Sequence, residues 1–163
     1  MSYAVYTTRG FILASAPSGE ASKLYTLYTE EFGLVRAKAQ SVRLLGSKLR
    51  YHLDDFSFGT FSLVRGKELW RLTGSEAAPV APGAMPLRAR ILGLVKRLVN
   101  GEERNDALFT ALLPLSEEGE ASETAILSSV LAALGYLDQK ALEGASEKAV
   151  IAAINKALKE TQL

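Results

Sequence analysis

Residues 34–40 read Leu34-Val35-Arg36-Ala37-Lys38-Ala39-Gln40, and side chains along an extended strand alternate between its two faces. Leu34, Arg36, Lys38 and Gln40 then share one face. Two of those four are cationic, so the face meets solvent or a polyanion. Working upstream, Glu31-Phe32-Gly33 reads as the turn into this strand, and Lys23–Thr29 alternates as a strand before it. Ala16-Pro17-Ser18-Gly19 has turn chemistry. Tyr3–Ser15, rich in Tyr, Val, Thr, Phe, Ile and Leu, suits a pleated, half-buried surface. Downstream comes a loop, Ser41–Lys48, with Gly46 and Ser47 at its tip. Phe56–Val64 and Glu68–Thr73 are two further strands about the turn Arg65-Gly66-Lys67. Five strands in about seventy residues, with a long connection after the third, fit a small closed barrel, which also leaves no strand edge unpaired.

The period changes in the second half. Ala77–Pro86 carries three prolines and a glycine in ten residues. Each proline removes a backbone donor and disfavours helix at the residue before it, so the stretch reads as a linker. Beyond it, Leu87, Ile91, Leu94, Val95 and Leu98 recur at helical spacing up to Asn100-Gly101, which suits a C-terminal cap. Asn105 or Asp106 caps a second helix with Leu108, Leu112 and Leu115 on its stripe and Pro114 to bend or end it. Ser122 opens a third, through Ile126, Val130 and Leu134 to Gly135, and Ser146 a fourth, with Val150, Ile154 and Leu158 inward. The expected architecture is α+β: a barrel domain at 1–76, a Pro-rich linker at 77–86, and an all-helical bundle at 87–163.

Composition narrows the chemistry. The 163 residues are 48% hydrophobic and 23% charged, with no cysteine and one histidine, His52. Zinc fingers, iron–sulfur sites, disulfide scaffolds and cysteine nucleophiles are thereby excluded. No apolar run reaches the roughly 18 residues a membrane span needs, and no basic-then-apolar leader opens the chain. The expectation is a soluble, cytoplasmic protein with no membrane association. Glu117, Glu118, Glu120 and Glu123 cluster across a turn, where solvated charges favouring a helix start account for them more readily than a hard-cation site does. Gly46-Ser47-Lys48 lacks the glycine spacing of a phosphate-binding loop. His52 has no nucleophile to pair with, so no catalytic residue, metal or cofactor is expected.

The formal net charge of +1 hides an uneven distribution. Residues 1–76 carry ten Lys/Arg against seven Asp/Glu, while 77–163 carry nine against eleven. Between 36 and 50 stand Arg36, Lys38, Arg43, Lys48 and Arg50 with no acid among them. Such a local block is an electrostatic footprint for a polyanion, or else an ordinary solvated face. Tyr51, beside Arg50, adds an aromatic among cations, the combination that single-stranded nucleic acid uses for stacking and charge. Trp70, between Lys67 and Arg71, reads more readily as filling for the barrel wall than as a stacking platform. Residues 87–99 hold Arg88, Arg90, Lys96 and Arg97 without an acid. Arg90, Gly93 and Arg97 fall on one helical face that would suit an acidic peptide with an apolar end, although a solvated face is the commoner outcome of such a pattern.

These segments resemble the bacterial RecO family of DNA repair and recombination mediators. The likeness runs through Arg9-Gly10-Phe11-Ile12-Leu13, Gly19-Glu20 with Lys23-Leu24, and Leu27-Tyr28-Thr29-Glu30-Glu31-Phe32-Gly33-Leu34. Its most specific part is Ala39-Gln40-Ser41-Val42-Arg43 followed by Ser47-Lys48-Leu49-Arg50. Phe56, Leu69-Trp70-Arg71-Leu72-Thr73, Ala107-Leu108-Phe109, Leu112-Leu113, Leu131 and Leu134-Gly135-Tyr136-Leu137 complete it. The resemblance implies an OB-fold barrel followed by a helical domain, and a non-enzymatic mediator that binds single- and double-stranded DNA and anneals complementary strands. Implied partners are the acidic C-terminal tail of single-stranded DNA-binding protein (SSB), RecR and, indirectly, RecA at the nucleoid. Many relatives carry a four-cysteine zinc element where this chain reads Asp138-Gln139-Lys140-Ala141, so zinc is not implied here. The expected DNA contacts are Arg36, Lys38, Arg43, Lys48, Arg50 and Tyr51; Arg90 and Arg97 would hold a partner peptide. The alternative is an adaptor whose helical domain binds an acidic peptide tail, with DNA contact incidental.

Overall fold

The computed structural model describes residues 3–40, 42–43, 53–117 and 122–161. Five strands close into a barrel in the order β1-β2-β3-β5-β4. They are β1 (Val5–Ser18), β2 (Ser22–Thr29), β3 (Gly33–Ala39), β4 (Phe58–Val64) and β5 (Trp70–Ala78). Four of the five pairings are antiparallel, and β3 and β5 pair in parallel through two residue pairs, Ala37↔Trp70 and Lys38↔Arg71. The alternation expected of residues 34–40 holds. Val35, Ala37 and Ala39 enter the barrel core with Ile12, Leu27, Phe61 and Leu63, while Arg36 and Lys38 point outward.

The turn from β2 into β3 is fixed locally. The Thr29 hydroxyl donates to the Gly33 carbonyl (2.9 Å) and accepts from the Phe32 N–H (3.1 Å). Gly33 has φ +67°, and a Cβ there would collide with the backbone of Glu103, so glycine is required twice over. The opposite case is Phe56, a bulky residue in the left-handed region with φ +68°. Its N–H donates to the Ile12 carbonyl (2.8 Å) and its own carbonyl accepts from Arg88 Nη1 (2.9 Å), so neighbours on both sides hold the strained turn that leads into β4.

Two compact units divide after Arg104, not at the Pro-rich stretch. That stretch is shorter than its composition suggests, because β5 runs to Ala78 and a 3₁₀ turn begins at Pro82. Helix α1 (Met85–Leu98), expected in the helical bundle, belongs with the barrel. Pro86 sits in its first turn, where a missing N–H costs nothing, and Ile91, Leu92, Leu94 and Val95 are buried. Arg88 is buried too. One guanidinium nitrogen is spent on the Phe56 carbonyl, its Nε has no partner among the described residues, and burial pulls its pKa down.

The second unit comprises α2 (Asp106–Leu112), α3 (Glu123–Ala133) and α4 (Glu147–Glu160). Each starts on the cap read from the sequence: Asn105, Ser122 and Ser146 accept from the backbone N–H three residues on. A 3₁₀ turn from Leu113 to Ser116 follows α2 at Pro114. Leu108, Leu112, Leu115, Ile126 and Val130 are buried as expected, while of the α4 stripe only Ile154 is, joined by Ala157.

Candidate nucleic-acid interface

The outward face of β3 continues sideways. In the β2·β3 ladder Leu24 lies beside Lys38 and Thr26 beside Arg36. Across the parallel pairing Lys38 lies beside Arg71, which alternation turns outward because Trp70 and Leu72 are in the core. Neighbouring strands lie about 4.8 Å apart and residues two apart on one strand about 6.6 Å. Arg36, Lys38 and Arg71 are thus three cations on one small area. Among the described residues none of them has a carboxylate within ion-pair distance. Other arginines of this unit are engaged: Arg9 with Glu30 (2.8 Å), Arg65 with Glu102 (3.3 Å) and Arg104 with Glu31 (2.6 Å). Arg71 was not among the residues expected here. The inward course of Trp70 is the signal that finds it.

Arg43 lies past the end of β3, where its backbone N–H donates to the Ala21 carbonyl (2.9 Å) and Nη1 to the Gly19 carbonyl (2.9 Å). It therefore caps the β1–β2 turn and borders a cavity of about 240 Å³ with Lys23, Tyr25 and Asp54. Burial and the nearby Asp55 and Asp54 push the Tyr25 phenol up to about 12. Lys48, Arg50, Tyr51 and His52 lie outside the described residues, as do Glu118 and Glu120. Among the described residues no three carboxylates or imidazoles gather as a metal site, and no helix is long and apolar enough to cross a membrane.

Trp70 takes the wall-filling position. It is 2% exposed, packed against Phe32 (4.8 Å between ring centroids) and edge-on to Tyr6 (5.8 Å). Its Nε1–H donates to Glu102 (2.8 Å), and the Arg65 guanidinium lies over its ring at 4.2 Å. No local sequence signal connects Trp70 to a carboxylate 32 residues away. Arg90 and Arg97 are exposed on α1 with Gly93 half-buried between them, so that basic face is on the barrel unit and not on the helical one. The helical unit instead carries an open groove of about 690 Å³ between α2 and α3, lined largely by small apolar side chains such as Ala107, Ala111, Ala125 and Ala132.

Dividing the chain after Arg104 also sharpens its charge. Residues 1–104 hold fifteen Lys/Arg against nine Asp/Glu, a balance of +6, and residues 105–163 hold four against nine, a balance of −5. The first unit is a small five-stranded barrel of the OB type with a cationic outer face. Residues 1–79 match the family model for the recombination protein O N terminal domain. The chain is 33% identical over 119 residues to the DNA repair protein RecO of Dehalococcoides mccartyi, covering 69% of this chain and 47% of that one. It is 30% identical over 120 residues to the RecO of Gloeobacter violaceus (69% and 46%), and 29% over 143 residues to that of Pelotomaculum thermopropionicum (81% and 56%). The chain belongs to the RecO family of DNA repair proteins, and it spans about half the length of the curated relatives it matches.

Proposed function

We propose that this chain is a DNA-binding recombination mediator that does no covalent chemistry of its own. It binds single- and double-stranded DNA through phosphate contacts, anneals complementary strands, and with RecR helps load RecA onto DNA coated by SSB in the cytoplasm, at the nucleoid. The observation that carries this reading is the lateral trio Arg36, Lys38 and Arg71, uncompensated by acids among the described residues on a unit of charge +6. Phosphate contacts hold a strand without reading its bases, so affinity depends little on sequence and the bases stay free to pair. With Arg36, Lys38, Arg43, Lys48 and Arg50 as contacts, log affinity falls against log salt with a slope of about −3 to −4 on single strands.

Fluorescence anisotropy of a labelled single-stranded oligonucleotide, titrated at several salt concentrations, tests it. The expected result is tight, sequence-indifferent binding that falls steeply with salt and drops at least about tenfold in the Arg36→Glu/Lys38→Glu double variant. No binding at low salt, or an unchanged affinity in the folded double variant, overturns it.

The exposed Arg90 and Arg97, on a helix without an acid, support a second reading: an adaptor that holds an acidic peptide such as the SSB tail. Substituting both with Ala separates the two, because it removes peptide binding and spares direct DNA binding.

A further inference from the structure

The barrel register lines up one outward residue on every strand. Leu24 on β2 lies beside Lys38 on β3, Lys38 beside Arg71 on β5, Arg71 beside Val64 on β4, and Val64 beside Val5 on β1. The order of that row is chemically graded. Its middle is cationic, Val64 next to it is apolar and 8% exposed, and Val5 at the far end is apolar and 59% exposed. Tyr3, two residues before Val5, is 65% exposed and is among the large hydrophobics left in the open. Val64 is buried, so the exposed apolar end of the row is Val5 with Tyr3 before it, two strands from Arg71; cations without acidic partners among the described residues and an exposed aromatic then share one row, the parts that phosphate binding and base stacking need.

We infer that a single strand crosses the barrel along this row, over the parallel β3·β5 pairing and on toward β1, with Arg71 as the phosphate contact after Lys38 and Tyr3 as a stacking platform for a base. This rests on the DNA-binding reading above, in which Arg71 already stands beside Lys38, and adds to it a direction and one residue, Tyr3. A strand confined to β3 and the loop beyond it would not reach Tyr3.

Arg71 and Tyr3 leave different signatures. A lost phosphate contact flattens the salt dependence, whereas a lost stacking contact lowers affinity at every salt concentration and leaves the slope alone. Anisotropy with a labelled mixed-sequence oligonucleotide is therefore run on Arg71→Gln, Arg71→Lys, Tyr3→Ala, Arg36→Gln and, on the helical unit, Lys159→Gln. Fluorescence of the buried Trp70, the chain's single tryptophan, checks that each barrel is intact. Arg71→Gln is expected to reduce the slope by about 0.7, Arg71→Lys to retain it, and Tyr3→Ala to weaken binding several-fold at constant slope. If Arg36→Gln weakens binding while Arg71→Gln and Tyr3→Ala match the parent, the strand does not cross the pairing and the inference fails alone. If Arg36→Gln has no effect either, the DNA-binding reading fails and takes the crossing path with it.

Discussion

The barrel unit and the helical unit are of comparable chemical simplicity, yet they use charge and packing in opposite ways. The barrel, with α1 attached, is basic by +6 and encloses large side chains such as Tyr25, Phe11, Phe61 and Trp70. The helical unit is acidic by −5, and its last helix buries only Ile154 and Ala157 while leaving Ile151 41% exposed. A closed sheet can give its inner face to packing and still keep stretches of its outer face for ligands, because alternation separates the two jobs residue by residue. Small amphipathic helices cannot separate them so cleanly, since one stripe must do the packing and its margins stay in water. The charge difference is why the proposed polyanion contact is assigned to the first unit: the second, acidic by −5, would repel a phosphate backbone.

The largest effect that would sharpen this contrast lies in the barrel core. Phe61→Ala, at a fully buried position, is expected to cost about 3–5 kcal/mol. Chemical denaturation followed by Trp70 fluorescence measures it, and a loss below about 1 kcal/mol would mean the core is looser than its burial implies. Next comes the attachment of α1. Removing the Arg88 side chain frees the Phe56 carbonyl and opens a void, so Arg88→Ala should cost about 1.5–3 kcal/mol. Because the Arg88 Nε itself has no partner among the described residues, Arg88→Met should cost less than Arg88→Ala. Equal losses would show that the hydrogen bond, not the packing, fastens the helix.

Tyr25 gives an alkaline test on the order of 2 kcal/mol. Its phenol holds its proton to about 12 in the folded barrel, while the unfolded chain releases it near 10. Between those values the folded state binds more protons, so stability falls as pH rises through that window. Tyr25→Phe should flatten that fall in denaturation midpoints taken from pH 9 to 12.

The Arg9–Glu30 pair gives a smaller acid counterpart. The hydrogen bond from Arg9 lowers the Glu30 pKa, so the pair stabilises the fold above the ordinary carboxylate value and that contribution is lost as pH falls through the folded value. Both groups are partly exposed, so the effect should be about 0.5 kcal/mol and absent in Glu30→Gln.

Much of this was readable from residues alone, for a definite reason. Alternation is local, so Val35, Ala37 and Ala39 against Arg36 and Lys38 assign a face without knowledge of the partner strands, and capping is local, so Asn105, Ser122 and Ser146 announce their helices. Arg71 was within reach by the same rule once Trp70 was placed inward. What stayed hidden depends on distant partners. Ala77–Pro86 has the composition of a boundary, but α1 stays with the barrel through Arg88 and the Phe56 carbonyl, 32 residues apart. The left-handed Phe56 has none of the glycine or asparagine signal that usually marks such a turn. Glu102 gives no hint in sequence that it fastens Trp70 and Arg65 together.

The parallel ladder between β3 and β5 has a mechanical consequence. It is the shortest in the barrel, two pairs long, and one of those pairs sets Lys38 beside Arg71. The ring is closed by a clasp whose two halves repel, and like charges on neighbouring strands oppose pairing by a few tenths of a kcal/mol up to about 1. Dissolved ions screen that repulsion. Raising salt should therefore tighten the clasp, seen as slower amide exchange at Ala37 and Arg71, while the same salt loosens the hold on any polyanion laid across it.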